Sequence, residues 1–389
     1  MTDVLAADLD LRPTLFSLVG LHLADVGPLR GTTSLGFLDA DGVPNDLYLM
    51  MGPNGAGKTT ILEAIFCVMA LLEHQVDRSG YGMAALDSGA GGVQLDARVV
   101  LDDGLRARPY LLSIVAGAPG LLHVPSEEAI RRAEADEHIV LQFHKTGIGN
   151  AVARTPTSHR LAAAFHDAVI RHVGEAPKDL FEGAAGYPTV LYFPSNRGIG
   201  RPPAEESVLR PETLAYAPAR RFDTDGGLWS ESLDNLFVWF AWLAGADDKR
   251  DVRCRDLVTR LVFQDKKQLL PVDRERLFVP VRLRDTGEQH RLHELSSGER
   301  QLVQLVVRIA SHMSGSTIVL IDEVEQHLHT VLQRRLASVL KQWAREYPGL
   351  GFFMTSHQKE IFRFISPLKP EPLLSKGAAL IKPRFRVSK

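Results

Sequence analysis

Gly52-Pro53-Asn54-Gly55-Ala56-Gly57-Lys58-Thr59-Thr60 lies between a short apolar run, Leu47-Tyr-Leu-Met-Met51, and an apolar stretch from Thr59 to Glu73 that carries Ile61, Ile65, Val68, Met69 and Leu72 at helical spacing. The spacing G-x-x-x-x-G-K-[ST] occurs once in the chain. Glycines let a backbone wrap closely enough for its N–H groups to face phosphate oxygens, and the following helix start adds a favourable dipole. In such a loop Lys58 reaches the β- and γ-phosphates, and the Thr59 hydroxyl is placed to ligate Mg²⁺. A glycine-rich turn can match this pattern by chance, but the strand before it and the helix after it favour a nucleotide site within an α/β fold. Residues 52–60 are therefore the candidate ATP-binding set.

The rest of the chain limits what surrounds that loop. Its 389 residues carry 45 Lys+Arg and 47 Asp+Glu, a formal net charge of −2, with 45% apolar residues. That length and apolar fraction suit one large or two ordinary domains with a substantial core, and exclude global disorder. A near-neutral balance excludes a wholly basic nucleic-acid binder while allowing a local patch. The two cysteines, Cys67 and Cys254, form no short metal pair and no disulfide scaffold, which implies a reducing compartment. The acidic start lacks a signal peptide, and the apolar run Leu236–Ala246 is too short for the roughly 30 Å of a bilayer core. A soluble, cytoplasmic protein without a membrane segment is expected.

Strand-like segments are predicted at 15–23, 34–38, 47–51, 138–144 and 189–193, with a hairpin from 93–101 through Asp102-Asp103-Gly104 into 110–115. A short exposed helix is predicted at 126–137, where Glu127/Arg131 and Glu128/Arg132 are spaced i,i+4. Residues 80–92 read as a loop. Prolines punctuate 202–218, and Trp229 to Leu270 reads as helices. Thr317-Ile-Val-Leu-Ile321 is an apolar strand suited to burial on both faces, and it ends in Asp322-Glu323. Carboxylates there enter the crevice at the strand ends, where Asp322 suits Mg²⁺ and Glu323 suits polarising the attacking water. Gly351-Phe-Phe-Met-Thr355-Ser356-His357 ends the same way, and His357 could contact the γ-phosphate or that water. Ser296 and Glu299 have capping-box spacing at the start of an apolar helix carrying Leu302, Leu305, Val306 and Ile309.

Taken in order, GPNGAGKTT at 52–60, LSSGE at 295–299, IVLIDE at 318–323 and TSH at 355–357 resemble the ABC-type ATPases. The resemblance implies a P-loop NTPase fold of ABC type, with an antiparallel β subdomain and an inserted helical lobe. It suggests an ATPase lobe from 1–204 and 313–389 and a helical lobe at 205–312. It also implies a homodimer that sandwiches two Mg·ATP, with Ser296, Ser297 and Gly298 acting in trans on the γ-phosphate bound by the partner. Glu323 and His357 become the catalytic pair, and Thr59 and Asp322 the metal ligands. The Asp322–His329 stretch, with its E-x-x-L-H continuation, is similar to the soluble RecF, SMC and OLD branch. Ser297 stands where many members carry Gly. Only 32 residues follow His357 and no coiled coil is readable, so neither a TOPRIM nuclease nor an SMC-type insertion is expected. Gln94 and Gln142 are equal candidates for the family's glutamine loop.

The implied role is control of a DNA-related or phage-defence effector supplied by another chain. The alternatives are an ATPase subunit of a membrane transporter and a non-hydrolysing nucleotide-sensing scaffold. Residues 359–389 hold eight basic and two acidic residues, a net of +6, which reads either as a nucleic-acid contact or as a solvated end. His290/His293 and His327/His329 lack the spacing of usual zinc sites. Leu236–Leu243 reads as helical core, and Tyr192–Arg197 as a strand ending in a turn.

Overall fold

The apolar runs at 47–51, 189–193, 317–321 and 351–355 become strands of one parallel sheet. The computed structural model describes residues 11–77, 91–117, 120–146, 151–174, 186–195, 215–222, 232–243, 249–326, 328–365, 371 and 373–382. Six strands run in the order β10 (Ala219–Arg221), β9 (Pro188–Phe193), β14 (Ser316–Ile321), β15 (Leu350–Ser356), β3 (Leu47–Met51) and β16 (Lys376–Leu380), and every pair is parallel. Successive side chains of a strand point to opposite faces, and both faces here are covered. Val190, Tyr192, Ile318, Leu320 and Phe353 enter one core, while Leu191, Phe193, Val319, Ile321, Phe352 and Met354 enter another. That double burial is why these strands read as continuous apolar runs.

The first core is closed by α1 (Lys58–Ala70) and a seven-stranded sheet. Its order is β2 (Leu29–Gly36), β1 (Arg12–Val26), β5 (Gly92–Asp102), β6 (Ala107–Gly117), β7 (Glu137–Lys145), β8 (Val152–Arg154) and β4 (Val76–Asp77). Its pairings are antiparallel apart from β6 with β7, which run parallel. The short α2 (Glu127–Arg132), capped by Ser126, lies on that crossover. The β5–β6 hairpin forms as expected: Gly104 takes a φ of 84°, and Asp103 accepts the N–H groups of Leu105 and Arg106. Helix α1 lies between two sheets, so Leu62 and Phe66 are buried as well as the single stripe read from the sequence. Helix α3 (Arg160–His172) packs on the same core through Phe165 and Val169.

On the second core lie α4 (Leu233–Leu243), α5 (Arg250–Leu257), α6 (Ser297–His312), α7 (Thr330–Glu346) and α8 (Lys359–Ile365). Two expectations change here. Residues 205–312 are not all helix, since β10 belongs to the parallel sheet and β11 (Lys267–Leu269), β12 (Pro280–Leu283) and β13 (Gln289–Arg291) form an antiparallel sheet of their own. Gln264 and Asp265 take φ of 50° and 61°, which ends the helical run before Leu270, and β12 then lies between β11 and β13 with Val281 buried. The basic segment 359–389 is also no free tail in its described part, because it supplies α8 and β16. The side chain of Lys376 is only 3% exposed and pairs with Glu371, which Lys341 and Arg345 also bind. Residues 366–370, 372 and 383–389 of that segment lie outside the described residues.

Helix α4 buries Leu236, Phe237 and Phe240 but exposes Trp242. Both cysteines are buried and unpaired, and burial pushes the thiols up to about 12 for Cys67 and about 11 for Cys254. Such thiols are inert at neutral pH. No helix among the described residues is long and apolar enough to cross a membrane.

Candidate nucleotide site

The adjacency of β14, β15 and β3 brings three sequence motifs to one edge. Met51 registers with Ser356 and Ile321 with Met354, so the segments that follow all leave the sheet at its carboxyl end. That edge is where ligands bind in open α/β sheets.

Gly55 and Gly57 take φ of 76° and 95°, a region that side chains other than glycine rarely adopt. Space is limiting too. A Cβ on Gly57 would sit 2.7 Å from Leu29 Cδ2, and one on Gly52 would sit 2.5 Å from the Ile381 carbonyl oxygen. The loop therefore lies flush against β2 and the segment after β16. Pro53, Asn54 and Gly55 are exposed, Ala56 and Gly57 buried, and Thr60 half-buried. Lys58 is buried at the start of α1 and donates from Nζ to the carbonyls of Gly52 (2.9 Å) and Pro53 (3.0 Å), so its ammonium spans the loop.

Asp322 is the hub. Its Oδ2 accepts the Thr59 hydroxyl at 2.8 Å, its Oδ1 accepts the Thr355 hydroxyl at 2.5 Å, and its N–H donates to Phe193 O. Thr355 Oγ1 in turn accepts the Glu323 N–H at 2.8 Å, and its carbonyl accepts the Val324 N–H at 3.0 Å. This double anchor holds Glu323 at a φ of 44°, a strained conformation of the kind that clusters at functional sites. A threonine hydroxyl beside a fixed carboxylate is a hard-oxygen donor set of the sort Mg²⁺ takes. Beneath it, burial raises the Glu63 carboxyl, Arg221 opposes that shift, and the charge of Asp322 adds to it.

His357 is held by a residue that sequence reasoning did not single out. Glu325, fully buried, accepts both the His357 N–H and the Nδ1 contact on Oε1, each at 2.9 Å. With Nδ1 assigned as the donor to that carboxylate, Nε2 is the nitrogen left for a ligand. In the sequence Thr355 reads only as part of a strand end, and its clamp on Asp322 depends on the β14–β15 register. Glu325 sits two residues after Glu323, but nothing in the spacing shows which carboxylate turns inward.

The start of α6 stands apart in its chemistry. Ser296 caps the helix by accepting the Glu299 N–H at 3.4 Å, and Glu299 accepts the Ser296 N–H at 3.3 Å and its hydroxyl at 2.9 Å. Lys267 Nζ lies 2.8 Å from Glu299. Burial raises that carboxyl, but Lys267 and Ser296 outweigh it and the net shift is downward, so Glu299 stays ionised. Ser296 and Ser297 are exposed and Gly298 is buried. Of the two glutamine candidates, Gln94 is committed elsewhere, donating to Asp96 and the His123 carbonyl and accepting the His123 N–H. Gln142 is half-buried on β7.

Comparison with known proteins bears on these features. Residues 211–363 match a family described as "AAA domain, putative AbiEii toxin, Type IV TA system". That span contains the 295–299, 318–323 and 355–357 motifs but not the phosphate loop. No curated protein matches the chain. Among solved structures, the chain is similar to the SMC head domain from Thermotoga maritima (15% identity, TM-score 0.38, covering 90% of this chain and 92% of that one). It is also similar to an SMC head domain with an extended coiled coil bound to the C-terminal domain of ScpA derived from Pyrococcus furiosus (12% identity, TM-score 0.43, covering 90% and 92%).

Proposed function

We propose that this chain, an ABC/AAA-type ATPase, closes head to tail with a second copy around two Mg·ATP and uses hydrolysis to control an effector carried by another chain. The observation that carries this reading is the bonded series Thr59–Asp322–Thr355–Glu323, which ties the phosphate loop to the acidic pair and to the strand that ends in His357.

Backbone N–H groups of 52–60 and the Lys58 ammonium bind the phosphates. Thr59 and Asp322 would hold Mg²⁺, which would supply neutralisation of the phosphate charge. Glu323 accepts a proton from the attacking water, with its backbone fixed by Thr355. His357 donates toward the γ-phosphate from Nε2 while Glu325 keeps its ring oriented. Ser296 and the N–H groups of Ser297 and Gly298 serve the nucleotide of the partner copy, which accounts for an exposed and well-capped helix start. In this reading 205–312 forms the second lobe apart from β10, which belongs to the first. The toxin-system description of the matched family supports an effector-linked role in defence over a transporter subunit.

Lys58→Ala removes two charge-assisted phosphate contacts, so ATP affinity is expected to fall by about 100-fold or more. Equilibrium binding of a fluorescent ATP analogue measures this, with light scattering following ATP-dependent dimerisation in the same samples. Unchanged affinity would remove the phosphate loop from the reading, and a wild-type chain that stays monomeric at saturating ATP would remove the sandwich.

A further inference from the structure

The outer face of the seven-stranded sheet, turned away from α1, carries a buried polar cluster that nucleotide chemistry does not use. Leu21, Leu95, Leu112 and Ile114 enter the core beside α1. Their strand neighbours His22, Gln94, Asp96 and Ser113 therefore face the other way. Asp96 is only 4% exposed; its Oδ1 accepts from Ser113 Oγ at 2.6 Å and Gln94 Nε2 at 2.9 Å, and its Oδ2 lies 3.1 Å from His22 Nε2. His22 Nδ1 lies 2.9 Å from Ser34 Oγ. The exposed His123 ring stacks on His22 with centroids 4.3 Å apart and planes 8° from parallel. Gln94 pins the His123 backbone through both its N–H and its carbonyl.

We propose that His22 Nε2, Asp96 Oδ2 and a ring nitrogen of His123 form a site for a divalent transition metal, zinc foremost, with a fourth position open to solvent. The three donor atoms lie within 4.8 Å of one another. Ligand atoms of a tetrahedral zinc site are about 3.3 Å apart, given Zn–N of about 2.0–2.1 Å. The His22–Asp96 pair is already at that spacing, and rotation of the exposed His123 side chain closes the third distance. Two imidazoles and one carboxylate are a donor set suited to Zn²⁺ and disfavoured by Mg²⁺ or Ca²⁺.

Two features separate this cluster from an ordinary buried hydrogen-bond network. Each ligand is held from behind: Ser34 on His22, Ser113 and Gln94 on Asp96, and Gln94 on the backbone of His123. That arrangement orients metal ligands and sets the imidazole tautomer. The ligands also line a cavity of about 410 Å³, bounded by Ser126, Glu128 and Arg132, which leaves room for a metal-bound water or an anionic ligand. The site would pin the segment around His123 to β1 and β5, adding stability that depends on metal concentration.

The test uses the full chain, stripped with a chelator and free of nucleotide and Mg²⁺, titrated with Zn²⁺ by calorimetry and with Co²⁺ by visible absorption. The expected result is one metal per chain, tetrahedral Co²⁺ bands and a higher Tm. His123→Ala, at an exposed position that leaves the fold intact by circular dichroism, is expected to weaken binding at least 10- to 100-fold. Thr59→Ala is expected to leave zinc binding unchanged, which separates this site from the nucleotide site. Binding no tighter than millimolar, or binding that His123→Ala leaves intact, overturns the proposal.

Discussion

Glu323→Gln is expected to lower steady-state phosphate release by about 10²- to 10⁴-fold, the usual contribution of a positioned general base, while leaving ATP binding at the wild-type level. The amide keeps the size of the side chain but cannot take a proton from water. Groups placed to bind the nucleotide are untouched: Lys58 still spans the loop, and Asp322 still receives the hydroxyls of Thr59 and Thr355. The backbone strain at position 323 is also unaffected, since Thr355 restrains it through the main-chain N–H. In the proposed sandwich, a chain that binds but does not turn over is expected to accumulate as the closed dimer. Malachite-green phosphate assays give the rate, and multi-angle light scattering at saturating ATP gives the mass. A Glu323→Gln chain that remains monomeric there would rule out the sandwich, and one that still hydrolyses ATP at the wild-type rate would rule out Glu323 as the base.

Stability is expected to fall as pH drops from 7 to 5, before most carboxylates titrate. His166 is fully buried, and burial, with the Arg154 charge beside it, pushes its imidazole down to about 4. His312 is also buried, and it is pushed well down by burial and then by Arg220, Arg308 and Arg250. An unfolded chain protonates such histidines near pH 6.5, whereas the folded chain does not until far lower. Between those values the unfolded state binds more protons, so folding stability rises with pH. The contribution is fully present above pH 6.5 and is lost as pH falls toward the folded value. At about 1.4 kcal/mol per pH unit, His166 alone removes about 2 kcal/mol by pH 5, and His312 acts in the same direction. Urea unfolding at pH 7 and pH 5 measures the difference, and His166→Gln should reduce it. Equal unfolding free energies at the two pH values would show that these imidazoles are not held neutral.

The parallel sheet was legible because double burial writes itself as unbroken apolar runs, and Leu47–Met51, Thr317–Ile321 and Gly351–Thr355 all read that way. The phosphate loop was legible because few residue types satisfy its backbone. Less visible were the features made by register. Thr355 matters because β14 and β15 lie side by side, and Glu325 matters because its carboxylate turns inward. The three-stranded sheet at 267–291 was hidden by short strands of mixed polarity, such as Lys267-Gln-Leu269, whose pattern fits no single period. The charge count over residues 359–389 could not show that α8 and β16 lie within that stretch, or that Lys376 is buried against Glu371.

The strand that leads into the phosphate loop has both of its neighbours far along the chain. β3 is flanked by β15 and β16, and the Ser375 N–H closes onto Asp46 across 329 residues. A ribosome therefore releases the loop early but its scaffold late, and long-range parallel pairing is slow to form. Until β15 has emerged both edges of Leu47–Met51 are unpaired, and until β16 follows one edge stays so, a species suited to chaperone capture or aggregation. Synthesis itself thus sets a clock on this protein: no nascent chain that stops short of residue 380 has the completed sheet on which its candidate nucleotide site rests.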